Sequence, residues 1–160
     1  MMIFLECNND EFLVEKLGFP GKWIVHERCK GEVVKKVGKS SSAVGIIDED
    51  IKANEPRDMK NYKEVSESKA NRDIKLFQRK NDKQKKLIQI SPYLEAWLYN
   101  RAKRNKINPK DFNLPDDPKK LHEIPNLKRS RDFREFLEKL LEKQDSEIQT
   151  LKKWIEDALG

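Results

Sequence analysis

Within the first 48 residues three short apolar runs alternate with two amphipathic segments, a rhythm that few folds accommodate. Ile3, Phe4 and Leu5 form a wholly apolar run ending in Glu6, as a buried strand would. Asn9 and Asp10 offer N-cap chemistry to a helix carrying Phe12, Leu13, Lys16 and Leu17, which Gly18 and Pro20 stop. Residues 22–26 read as a second strand, 31–38 as a short helix with Val33, Val34 and Val37 on one face, and 43–47 as a third strand. Strands that lack polar alternation and are separated by helices belong to a largely parallel sheet, with right-handed crossovers and helices on both faces.

Further along, residues 49–72 are polar and charged, with Pro56 early and a weakly helical stretch over 61–70, and read as a flap or a poorly packed helix. Residues 74–77 and 87–90 look like two more strands joined through Lys80, Asn81 and Asp82, a hairpin at one sheet edge. Ser91 and Pro92 start a helix that runs through Leu94, Trp97, Leu98 and Ala102. Four prolines then punctuate residues 109–125. Two final helices carry the stripes Phe133, Phe136, Leu137, Leu140, Leu141 and Ile148, Leu151, Ile155, Leu159, with Ser146 and Gln149 as a capping box between them. The expectation is an α/β fold with a largely parallel central sheet of about five strands: one domain over 1–160, its α/β core spanning 1–90 and a helical C-terminal extension, 91–160, packed on that core.

Charged residues make up 39% of the chain, but the apolar residues are periodic rather than dilute, which excludes a disordered polyelectrolyte. Residues 1–70 hold 12 basic and 13 acidic side chains and residues 71–160 hold 22 and 15, so the net charge of +6 sits in the second half. A basic half suits a polyanion such as nucleic acid, and equally serves solubility. Cys7 and Cys29 lack the paired spacing of a zinc site and a chain of this length needs no disulfide, so a reducing cytoplasmic setting is expected. No basic leader or membrane-length apolar run occurs, and neither export nor membrane insertion is expected.

The chemistry lies in three carboxylates. In an open parallel sheet, ligands bind beyond the carboxyl ends of the strands. Glu6 closes the first strand at such an end, Asp48 closes the third, and Asp50 projects to the same side as Asp48 if the chain stays extended. Clustered acids repel one another and are relieved by a hard cation such as Mg²⁺, which takes one or two carboxylates, waters and phosphate oxygens. The alternative is bland: Asp48 and Asp50 cap a turn, and Glu6 is a solvated strand-end residue.

The run from Phe4 through Leu5, Glu6, Cys7, Asn8 and Asn9 to Asp10, the strand Val44, Gly45, Ile46, Ile47, and the Asp48, Glu49, Asp50 that follows resemble the Toprim domain of primases, topoisomerases and OLD-family nucleases. That family pairs a glutamate after its first strand with Asp-x-Asp after its third. The resemblance covers roughly the first half of the chain and implies that Glu6, Asp48 and Asp50 are catalytic ligands for Mg²⁺ or Mn²⁺, with Asp10 a supplementary acid that orients water or a second ion. The glycine that often follows the family's glutamate is Cys7 here, and the chain resembles a stand-alone, divergent member. It implies Mg²⁺-dependent phosphoryl transfer on nucleic acid, most concretely phosphodiester hydrolysis; a non-catalytic module that binds nucleic acid or a protein partner is the alternative, and self-association is open.

The nucleic-acid contacts expected are Lys39, Arg101, Lys103, Arg104, Lys128, Arg129 and Arg131, with a further basic cluster over 80–86. From 80 to 134 there are 15 basic and 7 acidic side chains, and ordinary solvated faces explain them as well as a phosphate track does. Glu95, one turn into its helix, is a candidate additional acid near the metal, although an acid there also favours the helix dipole. His26 and Cys29 lack partners for a zinc or nucleophile site, and Trp23, Trp97 and Trp154 read as packing. Gly38-Lys39-Ser40 precedes a strand rather than a helix and lacks the upstream glycine of a phosphate-binding loop, which excludes that route to nucleotide hydrolysis.

Overall fold

A computed structural model describes residues 1–50, 54–66 and 72–160. Six strands form one mixed sheet: β1 (Met2–Leu5), β2 (Ile24–His26), β3 (Ala43–Asp48), β4 (Tyr62–Glu64), β5 (Ile74–Arg79) and β6 (Asp82–Ile90). Their spatial order is β2-β1-β3-β6-β5-β4, with β2, β1, β3 and β6 pairing in parallel, β5 antiparallel to β6 and β4 antiparallel to β5. The fold is α/β as expected, with six strands rather than five. The additional strand, β4, lies where a weak helix is expected; residues 67–71 of that stretch, and 51–53 before it, are outside the described residues. The β5–β6 hairpin forms, but β6 sits inside the sheet beside β3 and β4 provides the edge.

Period-two alternation divides the core. Ile3, Leu5, Val44, Ile46, Ile88 and Ile90 face one side, where α1 (Asn8–Lys16), α3 (Leu94–Arg104), α5 (Arg131–Glu142) and α6 (Ser146–Leu159) build the larger cluster. Phe4, Ala43, Ile47 and Leu87 face the other, covered by Val33, Val34 and Val37 of α2 (Lys30–Lys39) with Met59 and Tyr62. Gly45 lets α2 approach β3: a Cβ there would stand 2.7 Å from both Leu87 and Val33. Both C-terminal stripes are buried, apart from a half-buried Leu141. Among the described residues no helix is long and apolar enough to cross a membrane.

Several local starts differ from expectation. Cys7, not Asn9 or Asp10, is the N-cap of α1, its Sγ accepting from Asn9 N at 3.4 Å, because Asp10 is drawn inward. Trp23 N donates to Pro20 O in a 3₁₀ turn over Gly21–Trp23, so β2 begins only at Ile24. Ser91 and Pro92 bind loop partners instead of opening α3, Ser91 N donating to Asp73 O and Pro92 O accepting from Asp50 N; the cap is Tyr93. Asp145 caps α6 in place of the Ser146–Gln149 box, accepting from Glu147 N and Ile148 N.

The connectivity creates the site. From β1 the chain passes through α1 on one face to β2, then through α2 on the opposite face to β3 on the far side of β1. The chain leaving β1 thus enters α1 on one face, whereas Met59 and Tyr62, beyond β3, pack on the other, and a crevice lies at the carboxyl ends of these two neighbouring strands. Glu6 and Asp48 stand there.

Candidate functional site

Glu6 and Asp48, 42 positions apart in sequence, meet at this crevice: Glu6 Oε1 accepts from Asp48 N at 2.7 Å. Asp48 Oδ1 accepts in turn from Leu94 N at 3.1 Å, so the first amide of α3 anchors the acid at the end of β3. Register explains the meeting, since Leu5 pairs with Ile46 and Asp48 with Ile90, bringing the exits of β1, β3 and β6 to one rim.

Asp50 departs from expectation. Its φ of 42° turns the chain where an extended strand was required, yet the residue still lines the same cleft as Glu6 and Asp48, exposed on its wall, and its charge acts on Glu6. Asp10 does not line the cleft, and so has no position from which to orient water in it; it lies beneath, 1% exposed, with both carboxylate oxygens unpartnered among the described residues. Glu95 is equally buried and orients neighbours: its Oε1 accepts from Asn9 Nδ2 at 2.8 Å and meets His122 Nδ1 at 3.0 Å.

Burial dominates the electrostatics of these acids. It raises the Asp48 carboxyl to about 7, helped by the charges of Glu6 and Glu95 and opposed by the Leu94 amide and His122. Asp10 is pushed well above the ordinary carboxylate range by burial, then by Asp48, Glu6 and Glu95. Glu6 is raised by burial despite the Asp48 amide and Lys30. The Cys7 thiol, driven to about 12 by burial and then by Asp10, stays protonated at neutral pH and is no nucleophile there.

Over the acids lies a cleft of about 720 Å³, within the usual range for small-molecule sites. Lys30, Lys119 and His122 share its wall with Glu6, Asp48 and Asp50. Lys30 opens α2, and its Nζ donates to Glu49 O at 2.9 Å. Sequence reasoning missed these three. Lys30 was within reach, because the first residue of a helix following a parallel strand lies at the ligand-binding rim. Lys119 and His122 sit in α4 (Pro118–Glu123), inside the proline-punctuated stretch where no periodicity fixes position.

The expected phosphate contacts separate into groups. Arg101 is corrected: it is 3% exposed, with Nη1 2.7 Å from Glu147 Oε2, and serves the interior. Lys39 is exposed and ends α2 at the amino end of β3, roughly 16 Å from the acids by the length of that strand. The hairpin lysines share that far rim, Lys85 Nζ donating to Gly38 O. Lys103, Arg104 and Arg129 are exposed, Lys128 pairs with Glu11 at 3.6 Å, and Arg131 pairs with Glu135 at 2.8 Å.

The donor set at the cleft suits a hard cation: carboxylate oxygens of Glu6 and Asp48 whose charges repel one another. As placed, no three His, Cys, Asp or Glu side chains among the described residues form a cage for an ion. Mg²⁺ does not need one, since it binds through one or two carboxylates and completes its octahedron with water and substrate oxygens. Compared with models of protein families, with curated proteins and with solved structures, the chain matches none.

Proposed function

We propose that this protein performs Mg²⁺- or Mn²⁺-dependent phosphoryl transfer on nucleic acid, most concretely phosphodiester hydrolysis, at a Toprim-like site. The observation that carries the reading is the 2.7 Å contact between the Glu6 carboxylate and the Asp48 amide at the crevice between β1 and β3. Two acids from separate segments converge where an open sheet binds its ligands.

In this reading Glu6 and Asp48 hold the ion, which when bound polarises the phosphodiester and activates water. Asp50, on the exposed lip, reaches the ion through water. Lys30 and Lys119 face the non-bridging phosphate oxygens across the cleft. Lys103, Arg104, Lys128, Arg129 and Arg131 lie on the surface of the same second half and supply salt-sensitive affinity for the flanking strand.

A non-catalytic binding module is the second reading. What favours it is Asp50, the second acid of the Asp-x-Asp pair, which a backbone turn leaves solvent-exposed on the cleft wall rather than half-buried like Asp48. Cleavage assays on single- and double-stranded DNA and RNA with Mg²⁺ or Mn²⁺ decide between the two. Hydrolysis that falls by at least about tenfold in Asp48→Asn, with nucleic-acid binding retained, is the expected result. Salt-dependent binding with no metal-dependent cleavage selects the module, and neither activity removes both readings.

A further inference from the structure

Glu95 and His122 are drawn together from different parts of the chain, and metal ligation does not account for them. Glu95 belongs to the first turn of α3 and is 1% exposed; His122 belongs to α4, and its side chain is 57% exposed on the cleft wall. Glu95 Oε1 is held by Asn9 Nδ2 at 2.8 Å and lies 3.0 Å from His122 Nδ1. The Tyr93 ring meets the imidazole edge-on, with centroids 6.1 Å apart. Three elements, α1, α3 and α4, thus fix one solvent-facing ring.

A buried carboxylate on Nδ1 sets both the tautomer and the orientation of a histidine. With Nδ1–H directed at Glu95, Nε2 is the nitrogen left for the cleft, across from the acids at the strand ends. The charged and titratable groups around the ring are Glu95 and Tyr93 from α3 and its lead-in and Asp48 from β3, with Lys119 and Glu123 on its own helix. A ring oriented but not enclosed is what proton transfer to a bound ester requires.

We propose that His122 is the general acid of the site, giving its Nε2 proton to the leaving oxygen of the phosphate ester, with Glu95 as the residue that positions it. The inference rests on the hydrolytic reading above. As the bond from phosphorus to the leaving oxygen breaks, that oxygen takes the proton and departs as an alcohol. A water oxygen forms the new bond to phosphorus and loses its proton to solvent through the open cleft. The neutral imidazole regains a proton from water.

The test compares wild type, His122→Gln and Glu95→Gln with Mg²⁺ on two probes: thymidylyl-thymidine, whose sugar leaving group needs a proton, and the p-nitrophenyl ester of thymidine 5′-monophosphate, whose leaving group does not. His122→Gln is expected to lose roughly 10²-fold in kcat on the first and under about threefold on the second. Equal losses on both probes, or none, overturn the general acid and leave hydrolysis standing. Wild type that cleaves neither probe overturns both readings. A second readout needs no turnover: in ring ¹⁵N NMR, inorganic phosphate with Mg²⁺ moves the His122 Nε2 signal in wild type, and Glu95→Gln alters the tautomer balance. An Nε2 signal indifferent to phosphate also overturns the proposal. Because His122 is exposed, its variant is expected to fold, and the thermal transition of each variant verifies this.

Discussion

Arg101→Met is expected to destabilise the fold by about 3–5 kcal/mol and to lower Tm by on the order of 10 °C, without acting first on nucleic-acid affinity. The guanidinium, 3% exposed, lies 2.7 Å from Glu147 Oε2 and 3.7 Å from Asp145 Oδ1. Each partner carries further bonds: Glu147 Oε1 accepts from Asp73 N at 2.7 Å and Trp97 Nε1 at 3.0 Å, and Asp145 caps α6. Removing the cation leaves two buried carboxylates uncompensated at the junction of α3, α6 and the start of β5. Lys103→Ala, two residues on and exposed, is expected to stay within about 0.5 kcal/mol. Urea unfolding of both variants checks this; an unchanged Arg101→Met midpoint with weakened nucleic-acid binding would return Arg101 to the surface role its sequence neighbours imply.

Asp10→Asn is expected to act in the opposite direction, stabilising the metal-free protein by roughly 2–4 kcal/mol at pH 8, the order of cost for burying an unpaired carboxylate. The sign follows from linkage. The Asp10 carboxyl titrates well above its ordinary 3.8 in the folded protein. Below that value both folded and unfolded chains hold the proton, and Asp10 imposes no penalty. As pH rises past about 4 the unfolded chain ionises first, so stability declines until the folded-state value is passed. Asp48 adds a decline between its ordinary 3.8 and about 7. Metal-free wild type should therefore lose Tm steadily from pH 4 to pH 8, while Asp10→Asn coincides with it near pH 4 and lies above it at pH 8. An Asp10→Asn variant less stable than wild type at pH 8 would mean that the carboxylate is compensated in the fold.

Periodicity explains which parts of this architecture the sequence discloses. Wholly apolar runs at Ile3–Leu5 and around Val44–Ile47 demand burial on both faces, and a parallel sheet between helices follows from that demand. The acids at the ends of those runs then fall to one rim by topology alone, and so Glu6 and Asp48 are legible without coordinates. Asp50 is not, because its backbone turn is a local choice that an extended reading overlooks. β4 escaped because three residues paired to one neighbour leave too short a pattern. Arg101 was misassigned for a related reason: its basic neighbours suggest a surface, and only the helical phase shared with Trp97 reveals that it faces inward. His122 and Lys119 reach the cleft through a segment whose path is set by tertiary packing and carries no sequence period.

A Mn²⁺ soak of crystals, read by anomalous scattering, tests the shared acid site most directly. The account predicts a peak about 2.2 Å from a carboxylate oxygen of Asp48, with Glu6 either ligating or bridged to the ion by water, lost in Asp48→Asn. A peak held by other residues, or none at the crevice between β1 and β3 at millimolar Mn²⁺, would contradict it.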